Sequence, residues 1–388
     1  MIRTGAAGIA GVSAAERRAS SIMSKKVVHL IAAARPNFMK IAPLYHALAA
    51  TDWCDPQIVH TGQHYDFNMS DAFFRDLGLP APTFDLGVGS GSHAEQTGGV
   101  MIAYEKVCLE NRPDWIVVVG DVNSTAACAM VGTKLWIPVV HLEAGLRSGD
   151  RRMPEEINRL VTDAIADVLW TPSADADDNL LREGVSKDNI DLIGNIMIDS
   201  FELLRHKIEK SNSRQKLGLF DADYALLTLH RPSNVDHAEA LLAIVNALEK
   251  IADHVRLVFV SHPRTMKNLR NYDLTDRLAG IANVDLLDPL PYVDFMNVVT
   301  GARLVITDSG GLQEETTYLG IPCLTMRENT ERPVTVTQGT NKLVGAADLP
   351  EQVQKILSGD WKKGSCPPLW DGHTASRAVQ CLEKRACK

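Results

Sequence analysis

From Lys26 onward, short apolar runs rich in β-branched residues alternate with longer segments of helical character. The runs at 27–33, 57–61, 115–120, 138–142, 168–171 and 191–193 read as strands, and 38–50, 94–111, 124–135 and 155–166 as helices between them. A continuous apolar run such as IVVVG is what a strand buried on both faces looks like. Its alternation with helices predicts a parallel, doubly wound α/β sheet. A polar stretch rich in Ser and Lys, 207–216, interrupts the pattern, which then restarts. Strands at 224–229, 256–260, 304–307 and 322–325 and helices at 237–251, 294–301 and 312–319 belong to this second half. The expectation is two Rossmann-like doubly wound domains, over 25–200 and 201–388, with a last helix at 374–383 that can pack back on the first. The run GVGSGS at 87–92 is a mobile-loop candidate.

Composition narrows the class. The 388 residues are 45% hydrophobic and 23% charged, which leaves ample material for a core and excludes a disordered or collagen-like chain. Lys and Arg number 40 against 48 Asp and Glu, a net charge of −8. Such a chain lacks the extended basic face of a general nucleic-acid binder, so a polyanionic ligand must meet basic groups gathered at one place. Seven cysteines without any C-x-x-C give neither a disulfide framework nor a zinc ribbon and fit a reducing cytoplasm. The first 24 residues read as a disordered extension ahead of the fold rather than a targeting peptide. No apolar stretch is long enough to span a membrane.

In doubly wound sheets, ligands bind beyond the carboxyl ends of the strands, so the strand-to-helix loops carry the candidate chemistry. The first, Ala34-Arg35-Pro36-Asn37-Phe38-Met39-Lys40, lacks the G-x-G-x-x-G of dinucleotide folds but offers a guanidinium and an ammonium for an anion. After the strand LVIT comes Asp308-Ser309-Gly310-Gly311, leading into a helix. Here backbone N–H groups and the Ser309 hydroxyl can approach a phosphate, and Glu314 or Glu315, about one turn in, can accept from ribose hydroxyls. The plainer reading of Ser309 is an N-cap beside a glycine-eased turn. The next loop, Arg327 to Pro333, again sets basic and polar groups at a strand end. In the first half, Asp121 follows IVVVG, Glu143 follows PVVHL and Glu155 opens a helix. Singly these are ordinary cap and first-turn acids; converged on one cleft they shift one another's pKa, one serving as acid while another acts as base. His230 and His262 each follow a strand and lie near Arg231 and Arg264. Imidazole at such places can donate to phosphate or move protons. His60 and His64 have no metal-ligand spacing, and no metal is assigned.

Read in order, these loops form a signature. RPNFMKIAPL, TGQHYDFNMSDAFF, GDVNSTAACA, HLEAGLRSGDRRMPEEINR, LHRPSNVD, SHPRT, TDSGGLQEE and MRENTERPVTVTQGTNKLVG resemble the non-hydrolysing UDP-N-acetylglucosamine 2-epimerases over nearly the whole chain. The resemblance implies the glycosyltransferase-B-type architecture, two Rossmann-like domains facing a central cleft. It implies reversible conversion of UDP-N-acetylglucosamine to UDP-N-acetylmannosamine without an added cofactor, by elimination of UDP to a 2-acetamidoglucal and re-addition. It further implies a cytoplasmic homodimer supplying cell-surface polysaccharide precursors. Carried over by motif, Asp121, Glu143, Glu155 and His230 would be the catalytic set. Arg35, Lys40, His262, Phe295, Ser309, Gly310 and Arg327 would bind the substrate, with Glu315 on the ribose. Two features depart from the pattern. Gln63-His64-Tyr65 stands where substrate-activated members carry Gln-His-Arg, which puts activation by substrate in question. HYDFNMS and MPEEINR also occur in relatives acting on UDP-linked acetamido-uronic acids. Three rivals stay open: a hydrolysing 2-epimerase, a glycosyltransferase of the same fold, and a non-catalytic nucleotide-sugar sensor.

Overall fold

The computed structural model describes residues 25–62 and 74–387. The N-terminal extension and the segment Gln63-His64-Tyr65 lie outside the described residues. Two parallel sheets organise the chain. The first joins β1 (Lys26–Ala32), β2 (Cys54–His60), β3 (Phe84–Asp85), β4 (Trp115–Val119), β5 (Val139–Leu142), β6 (Val168–Thr171) and β7 (Ile190–Leu192) in the order 3-2-1-4-5-6-7. The second joins β8 (Tyr224–Thr228), β9 (Arg256–Val260), β10 (Val284–Leu287), β11 (Leu304–Thr307), β12 (Cys323–Thr325) and β13 (Asn341–Leu343) in the order 10-9-8-11-12-13. Every pairing is parallel, as the apolar central strands required. This is the expected α/β class.

Four departures from the sequence pattern have local causes. β2 begins at Cys54 and runs through Pro56, because β3 pairs only with Val59 and His60 and leaves the proline's missing donor on an open edge. β3 and β13 are too short and polar to show a period, and β10 is only half-buried along its length and carries Asp285, which pairs with Arg256. The helix Ile196–Lys210, with Ile196, Phe201, Leu204 and Ile208 buried, crosses the interval between the sheets. Its apolar face belongs to a cluster that includes Val28 and Leu30 from the first sheet and Leu226 and Val305 from the second.

The last helix, Thr374–Ala386, returns to the first sheet's side of the molecule. Ala378 and Leu382 are buried in the same cluster as Leu44, and the Asp199 carboxylate accepts from the amides of Thr374 and Ala375 at 3.1 and 2.7 Å. On the outer faces, helices His93–Glu110 and Asn123–Lys134 cover the first sheet and Ala238–Ala252 and Leu349–Leu357 the second. In each sheet the connections reverse direction at one place, between β1 and β4 and between β8 and β11. A doubly wound sheet opens a crevice at that point, and the crevice supplies the site.

Candidate active site

A cavity of about 560 Å³ is lined by residues that follow β1, β4, β8, β9 and β11, so both crevices open into one cleft. Arg35, Lys40, Asp121, Glu155, His230, His262, Phe295, Ser309, Gly310 and Glu315 all line it. Glu143 and Arg327 are not among the lining side chains.

On the first-domain side, Asp121 and Glu143 each face a cation. After β1, the Ala34 amide donates to Asn37 Oδ1 (3.0 Å), and Asn37 Nδ2 donates to the Val119 carbonyl (3.1 Å), which ties the helix Arg35–Ala49 to the end of β4. One turn on, Lys40 Nζ donates to Glu143 Oε2 at 2.5 Å. Glu143 therefore stands directly behind Lys40 rather than on the surface of the cleft. It is buried, and its φ of 72° is left-handed, a conformation that costs a residue with a Cβ about 1 kcal/mol or more and persists only where the surroundings enforce it. Its Oε1 has no hydrogen-bond partner among the described residues. Gly120 is required here: φ is +69°, and a Cβ would sit 3.2 Å from Lys40 Nζ. Beside it, Asp121 Oδ2 accepts from Arg159 Nη1 at 2.5 Å.

The pair Glu155-Glu156 divides its work. Glu156 Oε2 accepts from the Ser148 amide and hydroxyl (both 3.0 Å) and Oε1 from the Gly149 amide (2.9 Å), and Oε2 also pairs with Arg159 at 2.6 Å. That fixes the loop before the helix Pro154–Ile165, leaving Glu155 to face the cleft. Arg159 was missed in the sequence. Its spacing of four from Glu155 and three from Glu156 on an acid-started helix was the available signal.

The second-domain wall presents donors. The helix Gly310–Leu319 starts at the cleft, two residues earlier than its periodicity indicates, with both glycines in its first turn. Ser309 occupies the N-cap position, yet its hydroxyl makes no capping bond, and this separates it from the plain N-cap reading. Asp308, fully buried, accepts from the amides of His230 (3.0 Å) and Arg231 (2.8 Å) and from Asn234 Nδ2 (3.0 Å). Arg231 lines the cleft and has no ion pair among the described residues.

The adjacent glutamates also separate. Glu315 Oε1 accepts from Tyr292 Oη at 2.6 Å, and burial, with a further push from Glu314, lifts its pKa to about 7 despite that bond. Glu314, raised by burial, lies 2.8 Å from Arg332 Nε. Arg332 Nη1 pairs with Glu331 Oε1 at 2.5 Å, and Arg327 Nη2 with Glu331 Oε2 at 2.7 Å. Arg327 thus holds the acid that holds Arg332, and of these two arginines it is Arg332 that lines the cleft. Gly310 makes room for it, since a Cβ there would lie 2.9 Å from Arg332 Nη1.

The arrangement sets anion donors against ionisable acids across one cavity, and known proteins share its framework. The family model for UDP-N-acetylglucosamine 2-epimerase matches residues 46–383. The chain belongs to that family. It is an isomerase by that membership, and the glycosyltransferase-B-like arrangement of its two sheets is that of its structural neighbours. It is 42% identical to the UDP-N-acetylglucosamine 2-epimerase of Methanocaldococcus jannaschii over 365 residues, 91% of this chain and 98% of the relative. A crystal structure of the M. jannaschii enzyme with UDP-GlcNAc and UDP superposes at a TM-score of 0.83, covering 92% of this chain and 99% of that one. It is also 40% identical to the UDP-2,3-diacetamido-2,3-dideoxy-D-glucuronate 2-epimerase of Pseudomonas aeruginosa over 359 residues, 91% of this chain and 98% of the relative. No helix among the described residues is long and apolar enough to cross a membrane.

Proposed function

We propose that this 2-epimerase interconverts UDP-N-acetylglucosamine and UDP-N-acetylmannosamine by the non-hydrolysing route, eliminating UDP to a 2-acetamidoglucal and adding it back. The observation that carries this reading is the single cleft with Ser309, Gly310, His230 and Arg332 on one wall and Asp121 and Glu155 on the other. The C2 proton has no neighbouring carbonyl to make it acidic. It becomes removable only as the C1–O bond breaks and positive charge grows on the ring. Stabilisation of the departing UDP therefore has to supply most of the barrier reduction, through helix-terminal amides, imidazoles and guanidinium groups aimed at the diphosphate. Asp121 and Glu155, with Glu143 poised behind Lys40, would take the proton from one face and return it to the other. Arg35 and His262 would bind the diphosphate, Glu315 the ribose, and Phe295 would add to the substrate contacts. The cleft between two domains would retain the glucal while both faces are addressed.

A second reading has one specific support. The uronate-acting relative is nearly as similar as the M. jannaschii enzyme, 40% against 42%. A related UDP-acetamido-uronic acid is therefore the alternative ring. The reading places the enzyme in the cytoplasm, as a source of polysaccharide precursors, and as a homodimer. Supporting the dimer, Ile102 and Leu109 are exposed seven residues apart on one helix, and Arg112 Nη2, just past that helix, donates to the carbonyls of Leu135 and of Trp136, whose side chain is also exposed.

The test is incubation with UDP-N-acetylglucosamine in heavy water, followed by NMR. The expected result is an epimer mixture carrying deuterium at C2 with the UDP linkage intact. Free sugar would show hydrolysis instead, and absence of exchange would favour transfer or sensing. Exchange confined to the uronate would establish the alternative.

A further inference from the structure

The His230 ring is held from behind by a group the proposed mechanism has not used. Nδ1 of His230 lies 3.0 Å from Oδ1 of Asp308. Asp308 already accepts two amides and Asn234, and although burial alone would raise its pKa, bonds from His230, Asn234 and the Arg231 amide hold it below the ordinary carboxylate range. An ionised carboxylate only accepts, so the proton between the two belongs to Nδ1. The neighbouring imidazole has the opposite constraint. His262 packs with its ring centroid 5.4 Å from that of His230, and its Nδ1 accepts from the Arg264 amide at 3.2 Å. In its neutral form His262 therefore carries its proton on Nε2. Burial and the proximity of His230 lower its pKa, against the pull of Asp308.

We infer that Asp308 is a positioning residue, fixing His230 as the Nδ1–H tautomer so that Nε2 is the nitrogen presented to the cleft. This rests on the reading that His230 serves the diphosphate. From other loops, the Asp308 carboxylate and the His262 ring reach the His230 ring. Arg264 is neutralised by Asp236, which its Nε reaches at 2.8 Å. With Nε2 protonated, His230 donates to a diphosphate oxygen, and that bond strengthens as the departing UDP gains charge. A neutral His230 in the other tautomer would also present an N–H, but it would leave a bare Nδ1 against a carboxylate. Asp308 thus sets which nitrogen faces the substrate. The same side chain directly precedes Ser309 and receives the His230 and Arg231 amides, so it registers the two anion-facing loops against each other.

The experiment is ¹⁵N-histidine NMR of the full chain across pH, with His230 assigned by its absence in His230→Asn, joined to kcat–pH profiles. In the wild type Nδ1 stays protonated throughout while Nε2 titrates. In Asp308→Asn the amide N–H faces Nδ1, the tautomer inverts, kcat falls on the order of 100-fold and the acid limb of the profile moves. A wild-type His230 with bare Nδ1 overturns the inference even if the variant fails to fold. So does Asp308→Asn with both tautomer and kcat unchanged. Full turnover in His230→Asn would instead overturn the reading on which it rests, leaving the tautomer measurement intact.

Discussion

The two sheets share one strand order, the first adding a single strand, yet their ends are furnished in opposite ways. Beyond β4 and β5, positions go to carboxylates, each restrained by one cation: Asp121 by Arg159 and Glu143 by Lys40. Beyond β8, β9, β11 and β12 they go to two imidazoles, an uncapped helix start and Arg332, with the acids turned to hold those donors in place. On the proposed reading, the same fold gives one wall to move protons and one to hold an anion. The chain's net charge is −8, and Arg35, Lys40, Arg159, Arg231 and Arg332 are nonetheless brought together in the cleft, where the proposed reading needs them.

The sharpest way to break the comparison is on the acid wall. Lys40→Met leaves Glu143 buried without its cation and should lower unfolding free energy by about 3 kcal/mol, read from the denaturant midpoint. An unchanged midpoint would mean that the pair does not hold the wall together. Asp121→Asn should fold normally yet lose C2 deuterium exchange by at least about 100-fold. Near wild-type exchange would remove Asp121 from the catalytic set.

On the donor wall the expected effects are smaller. Ser309→Ala should weaken UDP binding about tenfold, the scale of one hydrogen bond to a charged group. Its melting temperature should hold, because the hydroxyl caps nothing. A stability loss with intact affinity would restore the capping role. Smallest is a pH effect at Glu315. Its pKa rises from 4.5 to about 7 on folding, so between those values the folded state keeps a proton that the unfolded state has released, and stability falls as pH rises. His262 acts in the opposite sense below 6.5, so the difference between wild type and Glu315→Gln isolates the contribution. Wild type should lose more stability than the variant between pH 5 and pH 7, about two pH units. Parallel curves would place Glu315 in a more hydrated setting.

The doubly wound class and most strand-end candidates were legible in the sequence because central parallel strands are apolar throughout and each is followed at once by its functional loop. Asp121, Ser309 and His230 could be named from that rule alone. What escaped depends on pairing between elements. That Glu155 rather than Glu156 faces the cleft is decided by the Ser148 and Gly149 amides, and that Arg332 rather than Arg327 lines the wall is decided by Glu331 sitting between them. Tyr292 was hidden because its helix, Tyr292–Val299, begins two residues before the apolar period becomes visible.

The division of labour between the walls is tested most directly by titrating UDP into Asp121→Asn and Ser309→Ala in parallel, each checked for C2 exchange. The account predicts that Asp121→Asn binds UDP as the wild type does while exchange is lost, and that Ser309→Ala binds it more weakly. Loss of UDP affinity in Asp121→Asn, with Ser309→Ala unaffected, would contradict it.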